Sequence, residues 1–423
     1  MISAVVACLG RRRACSFRLL LLLLAMLWQS PMALAQYPPY AANSGFLPPA
    51  TSMPSATAAP PLPGPAMPPA AAPAYVVPPA GAAPLDAAAA VEMPDCRRPG
   101  GWLCGAGAYY LQPRWSSNPA FEKLVSFSTD SGDGQSSDQQ DFQMRGQFAP
   151  LVWLGYVGDQ GIGLRARWWQ FHGSTSTSLA APTLDDTTTE TIYSAYPLGI
   201  GFSSIYSPDF NDTLQFQSDL TLNVTDFELL WDVHPGPWSV LLGAGVRYAH
   251  VSQHYTASLL SAPSDPTLGE DTTTSSLVSG HRFDGIGPVF SMEARVPLGS
   301  SGFSILGNAR GALLLGTGTQ QVQLTSTDTD STGALVSTTT INGSRSMGGT
   351  VPVLELELGA EWARQIYHYR FVLQTALVGQ AWFSLGNAAG EQNILESTSL
   401  ADSADRRDTL GLLGFRLTAG LSY

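Results

Sequence analysis

An all-β fold is predicted for this chain: a transmembrane, antiparallel, up-and-down β-barrel of about ten strands, preceded by a disordered Pro/Ala-rich N-terminal linker. Three observations predict it. Apolar residues recur with period two in a series of segments from residue 101 to the end, which puts them on one face of each strand. The connections between those segments alternate short and long. Only 13% of the 423 residues are charged, with 42 Gly, 10% aromatics and mean hydropathy +0.05, whereas soluble domains carry about a quarter charged residues.

The chain opens on Arg11, Arg12, Arg13 and Arg18, an apolar run over residues 19–28, and Ala33-Leu34-Ala35. That is the order of a secretory signal peptide, so residues 1–35 are expected to be removed after Ala35. No later apolar run reaches the length of a membrane helix. The formal charge of -12 becomes -16 once those four arginines leave. Such an acidic balance argues against nucleic acid as a partner. Lys123 is the sole lysine, and arginine, with its planar fork of donors, suits ion-pair networks in confined spaces.

Residues 36–100 form the linker. Frequent proline forbids helix and ladder and favours an extended polyproline spacer. It reads as a periplasmic tether to cell wall or partner, or as an unselective tail. Cys96 and Cys104 remain after export, separated by the turn-forming Arg97-Arg98-Pro99-Gly100-Gly101. A disulfide between them is expected in an oxidising compartment, with two free thiols as the alternative.

The barrel domain spans residues 101–423. Residues 102–115 form its first strand, whose face assignment stays open, and 126–141 read as a loop. Strands follow at 147–156 and 162–171; in the latter Ile162, Leu164, Ala166 and Trp168 oppose Gly163, Arg165 and Arg167. Residues 172–216 read as a long polar loop. In the fourth strand, 218–232, Leu220, Leu222 and Val224 keep one phase and Phe227, Leu229 and Trp231 the other, so a bulge is expected near Thr225. After a turn at His234-Pro235-Gly236, the row Trp238 to Tyr248 opposes Gly243, Gly245 and Arg247. A loop over 253–279 leads to Ile286, Pro288, Phe290 and Met292, which oppose Ser291, Glu293 and Arg295. Pro288 lacks a ladder donor and is a local weakness.

Phe303, Ile305, Ala309 and Leu313 then oppose Ser304, Asn308 and Arg310, and residues 317–347 read as a loop. Leu354, Leu356 and Leu358 oppose Glu355, Glu357 and Glu361; Phe371, Leu373 and Leu377 oppose Arg370, Gln374 and Gln380. A last loop over 386–407 reaches the closing strand. There Leu413, Phe415, Leu417, Ala419, Leu421 and Tyr423 oppose Arg416 and Thr418, and the strand is expected to pair with the first near Trp102. Trp168, Trp231, Trp238, Tyr248, Trp362 and Tyr423 flank strand ends as interfacial girdles do.

The segments GAGAYYLQPRW, FELLWDV, VLLGAGVRY and LELELGAEW, with the closing strand, resemble the Legionella-type major outer membrane protein family. The likeness covers most of 101–423. It implies a pore-forming outer-membrane barrel with no catalytic residues; the even strand count and the short and long connections put both termini in the periplasm, and no cofactor is expected. The likeness also implies that the barrel-assembly machinery reads the aromatic ending at Tyr423.

The expected lumen residues are Arg165, Arg167, Arg247, Glu293, Arg295, Arg310, Glu355, Glu357, Glu361, Arg370 and Arg416. They either select ions by sign or pair to fill a narrow barrel. The expected function is a porin-like pore for passive diffusion of ions or small solutes. The alternative is a non-conducting adhesin or envelope anchor acting through Ser/Thr/Asp-rich outer loops. Asp185-Asp186, Glu270-Asp271 and Asp328-x-Asp330 lack the ordered spacing of a calcium site. His250, His254, His281 and Asp284 could suggest a surface hydrolase, but scattered loop histidines fit them better, and no metal site or enzyme is expected.

Overall fold

The computed structural model describes residues 101–423 apart from 130–131, 185–187, 237, 266–269 and 391–407. The expected signal peptide, linker and Cys96 therefore lie outside the described residues. Cys104 has no disulfide partner among the described residues.

Ten strands close into a barrel. They are β1 (Gly101–Trp115), β4 (Gln147–Val157), β5 (Ile162–Ala180), β8 (Phe210–Val233), β9 (Ser239–Pro263), β10 (Thr272–Pro297), β11 (Phe303–Thr329), β12 (Leu335–Ile366), β13 (Tyr369–Trp382) and β14 (Leu410–Ser422). Every neighbouring pair is antiparallel, and β1 is held between β14 and β4. Leu103 pairs with Ser422, and the Tyr423 amide donates to the Trp102 carbonyl at 3.0 Å. The expected pairing of the first and last strands is thus present. The open question on β1 resolves with Tyr109 and Leu111 buried inward and Trp102 and Ala106 exposed outward. Gly105 belongs to the inward row because the Trp153 indole lies across it: a Cβ there would sit 2.1 Å from the ring.

The four shorter strands β2 (Pro119–Thr129), β3 (Gly132–Asp141), β6 (Thr188–Ser194) and β7 (Ser203–Ile205) make a second sheet in the order β3-β2-β6-β7. It grows out of the β1–β4 and β5–β8 connections and caps one end of the barrel. Phe121 of β2 stacks on Phe216 of β8 with ring centroids 5.2 Å apart. Tyr255 of β9 donates to the Ala120 carbonyl (2.9 Å) and accepts from the Ala195 amide (3.0 Å).

Four expected polar loops are largely strand. Residues 126–129 and 132–141 belong to the paired strands β2 and β3. In 172–216, 253–279 and 317–347 the barrel strands run on past the bilayer, to 32 residues in β12. A span needs only about 9–11 residues. Water bathes the outside of this extension, so Ser and Thr replace the apolar outward row and the contrast that marks a strand fades.

The bulge near Thr225 is absent. β8 pairs in unbroken register with both β5 and β9, and its even-numbered residues face inward from Leu214 to Leu230. What changes at Thr225 is the sign of the alternation. Below it Phe227, Leu229 and Trp231 face lipid; above it Leu220, Leu222 and Val224 face a packed interior. Trp168, Thr225, Tyr248, Ile286 and Leu315 are register neighbours around the wall. They ring the barrel where this inversion occurs. From Ile286 to Val296 the outward row rises about 33 Å along the strand, or about 25 Å after tilt, the height of an apolar barrel band. Pro288 sits in that band facing outward, and the β10–β11 pairing skips Gly287 and Pro288, as its missing donor requires.

Candidate functional site

Inside the lipid-facing band the lumen is charged. Register puts Arg167, Asp226 and Arg247 side by side on β5, β8 and β9. Arg247 donates to both oxygens of Asp226, from Nε at 2.6 Å and Nη2 at 3.0 Å, and from Nη1 to Glu355 across the lumen at 2.6 Å. Arg167 adds a bond to Asp226 at 3.0 Å and a contact to Glu355 at 3.4 Å, and donates to the Tyr109 hydroxyl. Tyr109 in turn donates to Glu357 at 3.0 Å.

The network spreads from there toward the end with the short turns. Arg310 reaches Glu228 (3.3 Å) and Glu355 (3.4 Å). Arg165 reaches Glu228 (2.7 Å) and Glu293 (3.4 Å). Arg416 pairs with Glu357 at 2.6 Å. Glu361 takes Arg295 at 2.8 Å and Arg370 at 3.0 Å, and accepts from Gln374 at 2.9 Å. Arg295 also pairs with Glu293. Each charge thus meets an opposite one, as a low-dielectric site demands.

All eleven lumen residues expected from the sequence lie in this network. Asp226 and Glu228, both buried carboxylates of the network, were not among them, nor was Tyr109. Their signal was there: Phe227, Leu229 and Trp231 alternate with Asp226 and Glu228, and the expected bulge obscured it.

Beyond the charged layer the lumen is apolar. Leu111, Trp169, Phe171, Leu222, Val251, Phe283 and Trp382 join one buried cluster at the level of the ring. A second, with Phe121, Phe142, Ile192, Phe216, Tyr255 and Leu277, lies under the cap. Each such side chain contributes about 1.5–3 kcal/mol through burial. Hydrogen bonds tie the cap down: Gln253 donates to Asn118 (2.9 Å) and accepts from the Ala388 amide (3.0 Å), while Asn387 donates to the Ser117 carbonyl (2.7 Å).

His250, His254 and His281 occupy strands, not loops. His250 Nδ1 lies 2.8 Å from Asp284 on the outward wall, His254 lies farther along β9, and His281 faces inward on β10. They converge on no common point. Among the described residues no cluster could hold a metal ion.

Comparison with known proteins places the chain. No curated protein matches it significantly. Among solved structures it is similar to the outer membrane protease OmpT from Escherichia coli, at 12% identity and TM-score 0.36, covering 76% of this chain and 96% of that one. It is also similar to the CymD monoaromatic hydrocarbon channel (7%, TM-score 0.22, 77% and 89% covered). A Pseudomonas aeruginosa FadL homologue matches at 8% and TM-score 0.21, with 77% and 90% covered. Likenesses this distant carry no argument about activity. The family model for the Legionella pneumophila major outer membrane protein precursor matches residues 93–422. A ten-stranded barrel with a lipid-facing band, matched over most of its length, is a bacterial outer-membrane β-barrel, and the chain belongs to the Legionella major outer membrane protein family.

Proposed function

We propose that this barrel is a porin-like passage for ions or small solutes that rests closed, with its layer of arginines and carboxylates as the gate. The observation that carries this reading is the charge of the lumen at bilayer depth. Apolar side chains would fill an anchor at lower desolvation cost, since replacing buried ion pairs by well-packed apolar groups is often neutral or stabilising. Ionisable residues at membrane depth mark pathways instead. Paired, they block the lumen; separated, they would line a wet path and select by sign.

In this reading the short turns and both termini face the periplasm and the cap faces outward, following the length asymmetry of barrel connections. Residues 1–35 direct export, 36–100 are a spacer toward the cell wall, and the assembly machinery inserts 101–423.

A second reading, a non-conducting barrel that works through its outer extension, is favoured by the apolar layers under the cap. Purified protein in planar bilayers separates the two. Conductance steps are expected under applied voltage, and Glu355→Gln with Glu357→Gln should move selectivity toward anions by removing two negative charges. Silence of both proteins across voltage and salt would leave the non-conducting reading.

A further inference from the structure

At the cap end, a cavity of about 120 Å³ lies between the inner wall of β10–β12 and the segment 384–390. Its apolar side is built by Phe283, Val351 and Leu385, all buried. Its breadth comes from Gly349: in the inward phase of β12, a Cβ there would meet nothing within 4 Å among the described residues. Among the described residues, then, no neighbour requires glycine at that position.

The polar side of the cavity carries His281, with Arg345, Asn387 and Asp408 also on the lining. The His281 imidazole makes no hydrogen bond to any described residue. Two glycines leave its edge open. Cβ atoms at Gly386 and Gly318 would approach Nε2 to 3.1 and 3.5 Å. With no hydrogen bond to a described residue, the ring nitrogens can serve a bound ligand, and His281 is half-buried. Gln320 stands beside it, paired with His281 across β10–β11 and donating to the Ala388 carbonyl at 3.4 Å, so its own carbonyl oxygen remains available to a donor.

We infer that this cavity is a binding site for a single-ring solute carrying one hydroxyl group, with the ring on Phe283, Val351 and Leu385 and the hydroxyl on His281. Size selects the ring, because a protein cavity of about 150 Å³ lined by apolar side chains takes up benzene. Chemistry selects the hydroxyl, which can donate to the imidazole acceptor or accept from its N–H. The site stands whether or not the barrel conducts.

The test uses the full chain in lipid nanodiscs at neutral pH, titrated with 4-fluorophenol and with fluorobenzene and followed by fluorine NMR against empty discs. Saturable binding is expected, about tenfold tighter for 4-fluorophenol, since one good hydrogen bond at roughly 1.4 kcal/mol is a factor of ten. Gly349→Phe should abolish binding of both probes, and its open surroundings let the variant fold. His281→Leu should keep fluorobenzene binding and erase the preference for the phenol. Uptake equal to that of empty discs, an unchanged response in Gly349→Phe, or a preference that survives His281→Leu would each overturn the site.

Discussion

Arg247 and Asp226 are register partners on adjacent strands, and the guanidinium holds the carboxylate by two bonds, at 2.6 and 3.0 Å, with both side chains fully buried. A fork-on-carboxylate pair fixes direction as well as charge. Because Arg247 also reaches Glu355 at 2.6 Å, this one pair couples the β8–β9 wall to the opposite side of the lumen.

Removing one member therefore strands the other. Arg247→Met should destabilise the barrel by about 3–5 kcal/mol, the usual cost of an uncompensated buried charge. Arg247→Met with Asp226→Leu should recover part of that loss. Urea unfolding from detergent, followed by loss of the compact band on unheated gels, measures both. Equal midpoints for the single and double variants would contradict the coupling.

The cap hangs on Tyr255. Its hydroxyl serves the Ala120 carbonyl and the Ala195 amide at once. Tyr255→Phe keeps the ring packing against Phe142 and leaves both backbone groups without that partner, at about 1–3 kcal/mol each. Faster proteolysis within the cap segments is expected, with the barrel itself still folded.

Lys123 of β2 pairs with Glu190 of β6 inside the cap sheet. Burial would raise the Glu190 pKa, but bonds from Lys123 and Thr183 outweigh it and hold the carboxyl below its ordinary 4.5. A depressed folded pKa means stability that is present above 4.5 and lost as pH falls through the lower folded value. Lys123→Met should flatten that acid dependence, read as cap proteolysis between pH 6 and about 3. The effect should be small, since the lysine is exposed.

Tyr423 donates its amide to Trp102 and rests against Tyr369 with ring centroids 5.4 Å apart. Tyr423→Ala keeps the backbone bond and removes the ring at the seam between β13, β14 and β1. Surface levels in the outer membrane should fall several-fold. Wild-type levels would mean that the seam closes without it.

The sequence by itself determined the ten barrel strands, the lipid face of most of them though not of β1, β4 or β8, and the inward direction of the seven arginines and four of the glutamates. Lipid on one side and a wet or charged lumen on the other force a period-two contrast that any local window can read. Leu413 to Tyr423 carries it without a break. Tertiary structure alone decided the rest. Which charges meet depends on angular position around the barrel, so Arg247 finds Glu355 across 108 residues of sequence, and no local pattern encodes that. The phase shift at Thr225 shows the other limit. Parity along β8 never changes, but above the bilayer water takes the place of lipid outside and packed side chains fill the inside. The same alternation then reads with the opposite sign, and only the closed barrel reveals that the strand itself runs straight through.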